Sequence, residues 1–376
     1  MCGLLYYKFK VSDAKIYHTL TASDPYLVLS LSLSLILFLD LCLPTNLKKM
    51  AKNLMRAVQY SKYGGGVADM KHVEVPIPSP KKDEVLIQVE AASINPIDWK
   101  IQNGIARPFL PRKFPHIPGT DVAGEIVQVG AGVNNFKAGD KVVAVLGNGG
   151  ALAEFAVAHK DSTVLRPPEV SAADAAALPI AGLAAHQSLT KLAGLKLDGS
   201  GPPVNVLITA ASGGVGTYAV QLVKLANAHV TATCGARNIE LVRSLGADEV
   251  LDYKTPEGKA LKSPSGRKYD IIIHCTANIP WSTFEANLTP KGKVVDTTPG
   301  FGTLMSVAVK KVTFAKKQLL PLFTAVKQEN LNYLVKLMQA GKLKSVIDST
   351  HPLTKAEEAW AKSIEGHATG KILVEP

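Results

Sequence analysis

Short apolar runs separated by glycine- and proline-containing turns dominate the chain from residue 51 to about residue 165. Runs of this length, without long helical periods between them, are typical of β-strands. The region is therefore predicted to form a compact β-rich domain. The predicted strands cover residues 55–60, 84–91, 122–129, 141–146 and 153–158.

The pattern changes at Ser171, where an alanine-rich stretch over residues 171–192 predicts helix. Ser171 is a suitable N-cap, and Asp174 would lie in the first turn, where the helix dipole favours a carboxylate. Further on, strand-like runs alternate with helical segments, an order typical of a doubly wound parallel sheet. The fold class is thus α/β, with a β-rich domain followed by a doubly wound domain. The strand-like runs cover residues 204–210, 229–234, 249–253, 269–276 and 293–297.

A nearly unbroken apolar run over residues 26–43 follows three lysines near the N-terminus. This polarity is that of a signal or signal-anchor segment. The run is close to the lower length limit for a membrane-spanning helix and contains Asp40, so a targeting extension and a single span both stay open. Met50 has the character of a natural start, and residues 1–49 are treated as a leader outside the folded domains.

A glycine-rich turn opens the predicted doubly wound domain. The buried-strand pattern of residues 204–210 runs directly into Ser212, Gly213, Gly214, Val215 and Gly216, and an amphipathic helix follows. Glycines at this position let the backbone approach a pyrophosphate, whose charge is stabilised by free N–H groups and by the helix dipole. The spacing is not strictly G-x-G-x-x-G, and a plain tight loop is the alternative. Strand before and helix after favour a dinucleotide site.

The second strand of that domain indicates the type of dinucleotide. An NAD site usually carries Asp or Glu at the end of this strand, to bind the ribose 2′-hydroxyl. Here the strand ends in Gly235, Ala236, Arg237 and Asn238, so a 2′-phosphate meets no carboxylate and can pair with the guanidinium. The sequence favours NADPH over NADH.

Two residues after the third strand are further candidates for the adenosine phosphate. Tyr253 ends the run at residues 249–253, and Lys254 follows it. A cation there would suit an anionic group of the cofactor. The alternative for Lys254 is a solvated surface lysine.

Composition narrows the classes of partner. The 376 residues carry a formal net charge of +11, which suits an anionic cofactor, an anionic membrane surface or nucleic acid. No nucleic-acid-binding motif is present, so nucleic acid is excluded as a partner. Basic pairs at residues 310–311 and 316–317 leave peripheral association with anionic lipid open.

Four scattered cysteines argue against a disulfide scaffold. They form no C-x-x-C pair and no Cys/His cluster at zinc spacing, so no metal site is predicted and the protein is taken to be reduced and intracellular. The cysteines are Cys2, Cys42, Cys234 and Cys275.

Six motifs together resemble the quinone oxidoreductase branch of the medium-chain dehydrogenase/reductase superfamily. The resemblance covers almost the whole chain from Met50 onward. The motifs are SINPIDWK at 93–100, PGTDVAGEIVQVG at 118–130, AGDKV at 138–142, LAEFAVA at 152–158, AAALPIAGLAA at 175–185 and ASGGVG at 211–216.

The resemblance implies a fold and a reaction. It implies a GroES-like catalytic domain over residues 50–170, a Rossmann domain over 171–325, and a C-terminal segment, 326–376, that returns to the catalytic domain. It also implies NADPH, a homodimer, and hydride delivery to quinones or to the double bond of α,β-unsaturated carbonyls, including long-chain lipid-derived oxo-alkenes. The plant chloroplast-envelope members are described as peripheral proteins of the inner envelope membrane, without a cleaved transit peptide. The leader of this chain leaves that location open.

The resemblance also separates the chain from zinc-dependent alcohol dehydrogenases. Those relatives carry G-H-E where this chain has Gly119, Thr120 and Asp121. Thr120 and Asp121 cannot replace a His/Cys zinc site. Without a Lewis acid, reversible alcohol chemistry lacks its driver, whereas hydride addition to an electrophilic alkene or quinone does not need one.

By resemblance, Asn95 and Asp98 of the N-P-x-D motif line the cleft beside the nicotinamide. Lys100 is the nearest cationic candidate for the acceptor oxygen, Cys275 neighbours the nicotinamide ribose, and Lys371 reaches the cofactor. Three of these residues have a structural alternative: a turn for Asn95, a cap for Asp98 and a strand-edge lysine for Lys371. No general acid is assigned.

Two functions from different classes stay open. The first is an NADPH-dependent reductase of quinones or enones, and the second is a catalytically idle NADPH-binding protein with a structural or redox-sensing role. Turnover of NADPH with an acceptor separates them.

Overall fold

The computed structural model of the chain describes residues 54–105, 107, 111–300, 302–303, 305–307 and 316–376. The predicted leader at 1–49 and the basic pair at 310–311 lie outside the described residues. Within the described part of the chain, no helix has both the length and the apolar character needed to cross a bilayer.

A largely antiparallel sheet of seven strands forms from the first part of the described chain and its C-terminus. Its residues alternate between core and surface, because successive side chains of a strand point to opposite faces. The predicted β-rich domain is confirmed. A separate two-stranded ribbon, β1 and β2, precedes it. The strands are β1 (Leu54–Gln59), β2 (Lys71–Pro76), β3 (Glu84–Ile94), β4 (Asp121–Val129), β5 (Lys141–Val145), β6 (Phe155–His159) and β7 (Thr163–Leu165).

The sequence pattern missed two of these strands. β2 carries Lys71, His72 and Glu74, and none of its residues is buried. β7 is only three residues long. β2 is formed by pairing with β1, and β7 by pairing with β5. The pattern of apolar and polar residues within a strand does not report such pairing.

A second sheet of six parallel strands follows, in the order β10-β9-β8-β11-β12-β13. This is the 3-2-1-4-5-6 order of a dinucleotide-binding Rossmann domain, and it reverses between β8 and β11. The predicted doubly wound sheet is confirmed, and β13 is a strand that the pattern missed. The strands are β8 (Asn205–Ile208), β9 (His229–Cys234), β10 (Glu249–Asp252), β11 (Tyr269–His274), β12 (Leu288–Asp296) and β13 (Gln318–Pro321).

The helices cover both sheets. The predicted helical stretch at 171–192 begins where expected, because Ser171 Oγ accepts a hydrogen bond of 3.0 Å from Asp174 N. It divides at Pro179, which has no N–H to continue the first helix. A π-helical turn (Ser188–Ala193) ends the stretch. The helices are α1 (Pro96–Gln102), α2 (Ala172–Ala177), α3 (Pro179–Gln187), α4 (Gly214–Leu225), α5 (Ile239–Ser244), α6 (Pro256–Lys259), α7 (Trp281–Asn287), α8 (Gln328–Gln339) and α9 (Ala356–Glu365).

The C-terminal part of the chain contacts both domains. Helix α8 packs its buried face, including Leu331 and Leu334, into the core shared with the Rossmann helices. The last two strands, β14 (Ile347–Pro352) and β15 (Lys371–Glu375), join the first sheet. β15 pairs antiparallel with β3, so the end of the chain lies beside the start of helix α1.

Trp360 of α9 anchors this C-terminal helix to α1. Its side chain is fully buried, and its Nε1 donates a hydrogen bond of 3.0 Å to Gln102 Oε1. We expect Trp360→Ala to lower the free energy of unfolding by about 3–5 kcal/mol, the usual cost of such a cavity. Chemical denaturation measures this change. Ile364→Ala on the same helix, at a side chain 41% exposed, is the matched control and should cost less than about 1 kcal/mol. Equal losses in both variants would contradict the anchoring role.

Candidate active site and cofactor site

The predicted glycine turn lies at the carboxyl end of β8, where the strand order reverses. Gly213 N donates to Ala210 O at 2.9 Å, and Thr217 N donates to Gly213 O at 3.0 Å, so helix α4 starts immediately after the turn. A Cβ on Gly216 would lie 2.6 Å from Ala211 Cα, so only glycine permits this close packing of helix on strand. The first turn of α4, described throughout, carries no acidic side chain. The turn can therefore receive an anion such as a pyrophosphate.

Arg237 and Asn238 lie at the carboxyl end of the neighbouring strand, β9. Arg237 is exposed, and its Nη2 donates a hydrogen bond of 2.5 Å to His367 O. Asn238 Nδ2 donates to Thr369 Oγ1 at 3.1 Å. Both side chains border a cavity of about 410 Å³. The guanidinium is thus held at the rim of this cavity by the segment before β15.

The other predicted adenosine-side residues lie on the same edge of the sheet. Tyr253 is 45% exposed, and a Cβ on Gly235 would be 3.5 Å from Tyr253 Cε1. Lys254 Nζ lies 5.9 Å from the centre of the Tyr253 ring. No described hydrogen bond joins either side chain to Arg237.

Cys275 follows β11 on the other side of the turn. Its N–H donates to Thr209 Oγ1 at 3.0 Å. Burial of the sulfur raises the pKa of the thiol to about 12, although part of the residue reaches the surface. Cys275 therefore stays a neutral thiol at neutral pH, which suits a neighbour of a cofactor and not a nucleophile. A cavity of about 310 Å³ opens beside it, lined by His274 and Asp296 among others.

Four polar side chains form a buried cluster at the junction of the two domains. Asn95, Asp98, Asp121 and Lys371 are each at most 3% exposed. Lys371 Nζ donates to Asn95 Oδ1 at 2.5 Å and to Ile94 O at 3.4 Å, and it lies 4.0 Å from Asp121 Oδ2. Asn95 Nδ2 donates to Asp121 Oδ2 at 2.9 Å. The cluster joins the N-P-x-D motif to the last strand of the chain.

Asp121 ties this cluster to the Rossmann side. Its Oδ2 also accepts from Ile180 N of α3 at 3.1 Å and from Ser93 Oγ at 3.3 Å. Its Oδ1 is buried without a hydrogen-bond partner. Sequence reasoning treated Asp121 only as a poor zinc ligand and missed this role. A signal was available, since a carboxylate directly precedes the apolar residues 122–124 of a predicted strand.

The three residues predicted as catalytic, Asn95, Asp98 and Lys100, have different surroundings in the structure. Asp98 caps helix α1, because Asn95 N donates to Asp98 Oδ2 at 2.8 Å. Asn95 uses both ends of its amide within the cluster. Lys100 is half-buried, and its Nζ lies 5.7 Å from the centre of the Trp99 ring. The cation that bonds Asn95 is Lys371 and not Lys100. The chemical roles predicted for these residues stay predictions.

Lys371 also lies against the glycine turn. Gly370 N donates to Ser212 O at 2.8 Å. A Cβ on Gly214 would be 3.0 Å from Lys371 Cδ, so the lysine stem passes directly beneath the first residue of α4. β15 lies between β14 and β3, so this lysine is not on an edge strand. The candidate cofactor turn and the buried cluster are therefore in contact through one side chain.

Burial dominates the ionisation of the cluster. It raises the pKa of Asp98 to about 7, and the nearby Asp121 carboxylate adds to the rise against the Asn95 hydrogen bond and the Lys371 charge. Burial also raises the pKa of Asp121 and lowers the pKa of Lys371, while the attraction between these two opposes both shifts. The folded cluster therefore binds the carboxyl proton of Asp98 more tightly than the unfolded chain does.

We expect Asp98→Asn to flatten the dependence of folding on pH. Because the pKa of Asp98 is raised from 3.8 to about 7, its contribution to stability is complete below the unfolded value and is lost as the pH rises through the folded value. At about 1.4 kcal/mol per pKa unit, the free energy of unfolding should fall by up to several kcal/mol over this window. Most of that fall should be absent in Asp98→Asn, as measured by urea titrations across the window.

Asp69 provides the matched control for this experiment. Hydrogen bonds from Ser61 lower the pKa of its carboxyl, so its contribution to stability is lost as the pH falls, with the opposite sign. Asp69→Asn should leave the loss of stability between about pH 4 and pH 7 in place. An unchanged slope in Asp98→Asn would contradict the assigned ionisation.

Two family models match the chain. The alcohol dehydrogenase GroES-like domain matches residues 81–168, and a family described as zinc-binding dehydrogenase matches residues 245–374. The donor chemistry of the described residues does not fit zinc, because none of their His, Cys, Asp and Glu side chains form a group of three that could hold an ion. At Asp121, the buried ammonium of Lys371 already lies 4.0 Å from Oδ2 and would repel a second cation.

Comparison with known proteins identifies the family. The chain is 68% identical over 329 residues to a chloroplast envelope quinone oxidoreductase homolog of Arabidopsis thaliana, covering 87% of this chain and 100% of the relative. Its fold matches the quinone oxidoreductase of Coxiella burnetii with a TM-score of 0.77 at 30% identity, covering 86% of this chain and 99% of the other. The CurK enoyl reductase matches with a TM-score of 0.75 at 25% identity, covering 85% and 99%. The chain belongs to the quinone oxidoreductase branch of the medium-chain dehydrogenase/reductase superfamily.

Proposed function

We propose that this oxidoreductase uses NADPH to reduce quinones or the double bond of α,β-unsaturated carbonyls, without a metal ion. The observation that carries the proposal is the contact of Lys371 with both the glycine turn and Asn95. It brings the candidate cofactor site and the N-P-x-D motif together at one junction. A cofactor seated on the turn would therefore have its reactive end near a polar, water-poor cluster.

Separate groups of residues would bind the different parts of the cofactor. Ser212, Gly213, Gly214, Val215 and Gly216 would hold the pyrophosphate at the N-terminus of α4. When bound, NADPH supplies a hydride from its nicotinamide ring. Cys275 would lie beside the nicotinamide ribose. The residues that would bind the adenosine phosphate are Gly235, Arg237, Asn238, Tyr253 and Lys254.

The cluster residues would act on the acceptor end. Asn95 is oriented by Lys371 and Asp121 and would orient the acceptor next to the cofactor. Asp98 holds a proton near neutral pH. Lys100, half-buried beside Trp99, is the cation closest in sequence to this motif and would approach the acceptor oxygen only by leaving that ring.

Both acceptor classes have support from relatives. Two matches are named quinone oxidoreductases, and the CurK protein is named an enoyl reductase. Quinones and enones share an electrophilic carbon conjugated to a carbonyl oxygen, so one site that stabilises a developing oxyanion can serve either class.

The burial of the cluster supports a second function, that of an NADPH-binding protein without catalytic activity. Asn95 and Asp98 are both 3% exposed, and the polar groups of Asn95 are already paired. An idle NADPH-binding protein with a structural or sensing role would have such a closed cluster. It would bind NADPH and leave it unoxidised with every acceptor.

Location, assembly and domain limits complete the proposal. The names of the plant relatives support a chloroplast envelope location, and we place the protein at the inner envelope as a peripheral protein held by basic residues such as Lys316 and Lys317. A homodimer is the proposed assembly. The proposed domains are the GroES-like domain at 50–170, the Rossmann domain at 171–325 and the returning segment at 326–376.

Oxidation of NADPH by the full chain tests the proposal directly. The assay pairs NADPH or NADH with a panel of quinones and enones of increasing chain length, and mass spectrometry identifies the products. Hydroquinone or saturated carbonyl formed with NADPH supports the reductase. Tight NADPH binding with no turnover on any acceptor would reject it in favour of the idle binder.

Arg237→Ala tests the choice of cofactor. Loss of a charge-assisted hydrogen bond of about 1.5–3 kcal/mol should raise the Kd for NADPH roughly ten- to hundred-fold. The Kd for NADH should stay unchanged, because NADH has no 2′-phosphate. Fluorescence titration measures both constants.

Arg243→Ala is the matched control for that titration. It removes the same charge from helix α5, where Arg243 pairs with Glu240 at 2.6 Å on the surface. It should leave both dissociation constants unchanged. Equal weakening of NADPH and NADH binding by Arg237→Ala would show that Arg237 does not read the 2′-phosphate.

A further inference from the structure

Lys362 of helix α9 lines the same cavity as Arg237 and Asn238. This cavity of about 410 Å³ is built from two parts of the chain. Arg237 and Asn238 follow β9 of the Rossmann sheet, whereas α9 lies between β14 and β15 of the first sheet. Arg237 uses one of its five N–H donors on His367 O. The cavity therefore carries two cations, one from each domain.

Two polar partners hold the Lys362 ammonium at the wall of this cavity. It forms an ion pair with the Asp348 carboxylate, and its Nζ donates a hydrogen bond of 3.0 Å to Ser349 Oγ. An ammonium has three N–H donors, and these two described partners use two of them. The Lys362 side chain is still 37% exposed. Lys362 is thus both positioned and accessible to a ligand.

Two carboxyls also line the cavity, and neither cancels its attraction for an anion. Asp348 is paired with Lys362, and its Oδ1 accepts a hydrogen bond of 2.7 Å from Thr369 N. Glu365 is exposed at the end of α9, where water and salt screen its charge. An entering phosphate therefore meets the guanidinium of Arg237 and the ammonium of Lys362 against one screened carboxylate.

The ion pair of Lys362 with Asp348 suits a cation that exchanges its partner. A partly exposed ion pair contributes little to stability. A phosphate monoester carries up to two negative charges and three acceptor oxygens, so it competes well with a carboxylate for an ammonium. The bond to Ser349 Oγ keeps the ammonium in place during such an exchange.

We propose that Lys362 binds the adenosine 2′-phosphate of NADPH together with Arg237, and that Asp348 is its ion-pair partner while no phosphate is bound. This inference rests on the proposed function, because it concerns the same cofactor. It makes the choice between NADPH and NADH depend on the C-terminal segment as well as on the Rossmann domain. Lys362 determines specificity and takes no part in hydride transfer.

Binding of 2′,5′-ADP and 5′-AMP to the full chain tests this assignment without turnover. The two probes differ only by the 2′-phosphate, and isothermal titration calorimetry measures the Kd of each. We expect Lys362→Met to raise the Kd for 2′,5′-ADP about ten-fold and to leave the Kd for 5′-AMP unchanged. This loss should shrink as the salt concentration rises. Lys362→Arg keeps the charge and should retain most of the affinity.

Asp348→Asn should have the opposite effect on the same probe. The amide oxygen of asparagine can still accept the hydrogen bond from Thr369 N, but the side chain no longer competes with phosphate for the ammonium. We expect the Kd for 2′,5′-ADP to fall about two- to five-fold. An unchanged or higher Kd would contradict the exchange of partners.

A double variant separates direct binding from an effect through Arg237. Asp348 holds Thr369, and Thr369 bonds Asn238 next to Arg237, so the loss of Lys362 has an indirect route to the guanidinium. With direct binding, Lys362→Met still weakens 2′,5′-ADP binding in the Arg237→Ala background. No further weakening in that background would overturn the proposal.

Lys355→Met is the matched control. Lys355 lies at the start of α9, pairs with Glu358 at 3.2 Å and is outside the lining of the cavity. Both dissociation constants should stay unchanged in this variant. Denaturation curves show whether each variant is folded, and Asp348→Asn keeps the test decisive if Lys362→Met is not.

The outcomes distinguish this inference from the proposed function. An unmodified chain that prefers 2′,5′-ADP to 5′-AMP, with no loss in Lys362→Met, rejects the role of Lys362 alone. An unmodified chain without that preference rejects the proposed choice of NADPH together with the role of Lys362. A chain that prefers 2′,5′-ADP through Lys362 but turns over no acceptor rejects the reductase and supports the role of Lys362.

Discussion

A lysine ammonium buried at the junction of the two domains is the constraint on which the rest of this structure depends. Lys371 is 3% exposed, and removing its charge from water costs several kcal/mol unless it is paired and hydrogen-bonded. The Ile94 carbonyl, the Asn95 amide and the Asp121 carboxylate supply that compensation. Ile94 ends β3, Asn95 is the N-cap of α1 and Asp121 opens β4, whereas Lys371 opens β15. The last strand therefore cannot leave the sheet without exposing a network whose members would be buried and unpaired.

The same constraint extends into the Rossmann domain. Because Lys371 is fixed, the segment just before it, residues 367–370, is fixed as well. Its backbone and side chains bond Arg237, Asn238 and Ser212, from the far end of the candidate cofactor site to the glycine turn. A cofactor at that turn would thus contact a surface already organised by the C-terminus. Preorganisation of this kind lowers the ordering cost of binding.

The parts of this arrangement that are local in sequence were the parts that could be predicted. Strand periodicity and the turn at residues 211–216 depend on neighbouring residues, and both were identified correctly. The pairing of Asn95 with Lys371 joins residues 276 positions apart, which no local pattern reports. Proximity along the chain instead favoured Lys100, whose Nζ lies over the Trp99 ring. Asp121 was missed as a cluster residue for the same reason, since its partners come from β3, the N-cap of α1, α3 and β15.

The balance of charge in the cluster also limits the chemistry available to it. The ammonium of Lys371 is largely neutralised by Asp121, so the site has little spare positive charge with which to polarise an alcohol or an unactivated carbonyl. Among the described residues, no three His, Cys, Asp or Glu side chains are grouped so as to hold a metal ion that could take over that task. On the proposed function, the acceptor must therefore bring its own electrophilic carbon, as quinones and enones do. On the same proposal, the acceptor oxygen also needs a proton. Burial raises the pKa of Asp98 to about 7, so this carboxyl is partly protonated near neutral pH and lies beside the Asp121–Lys371 pair.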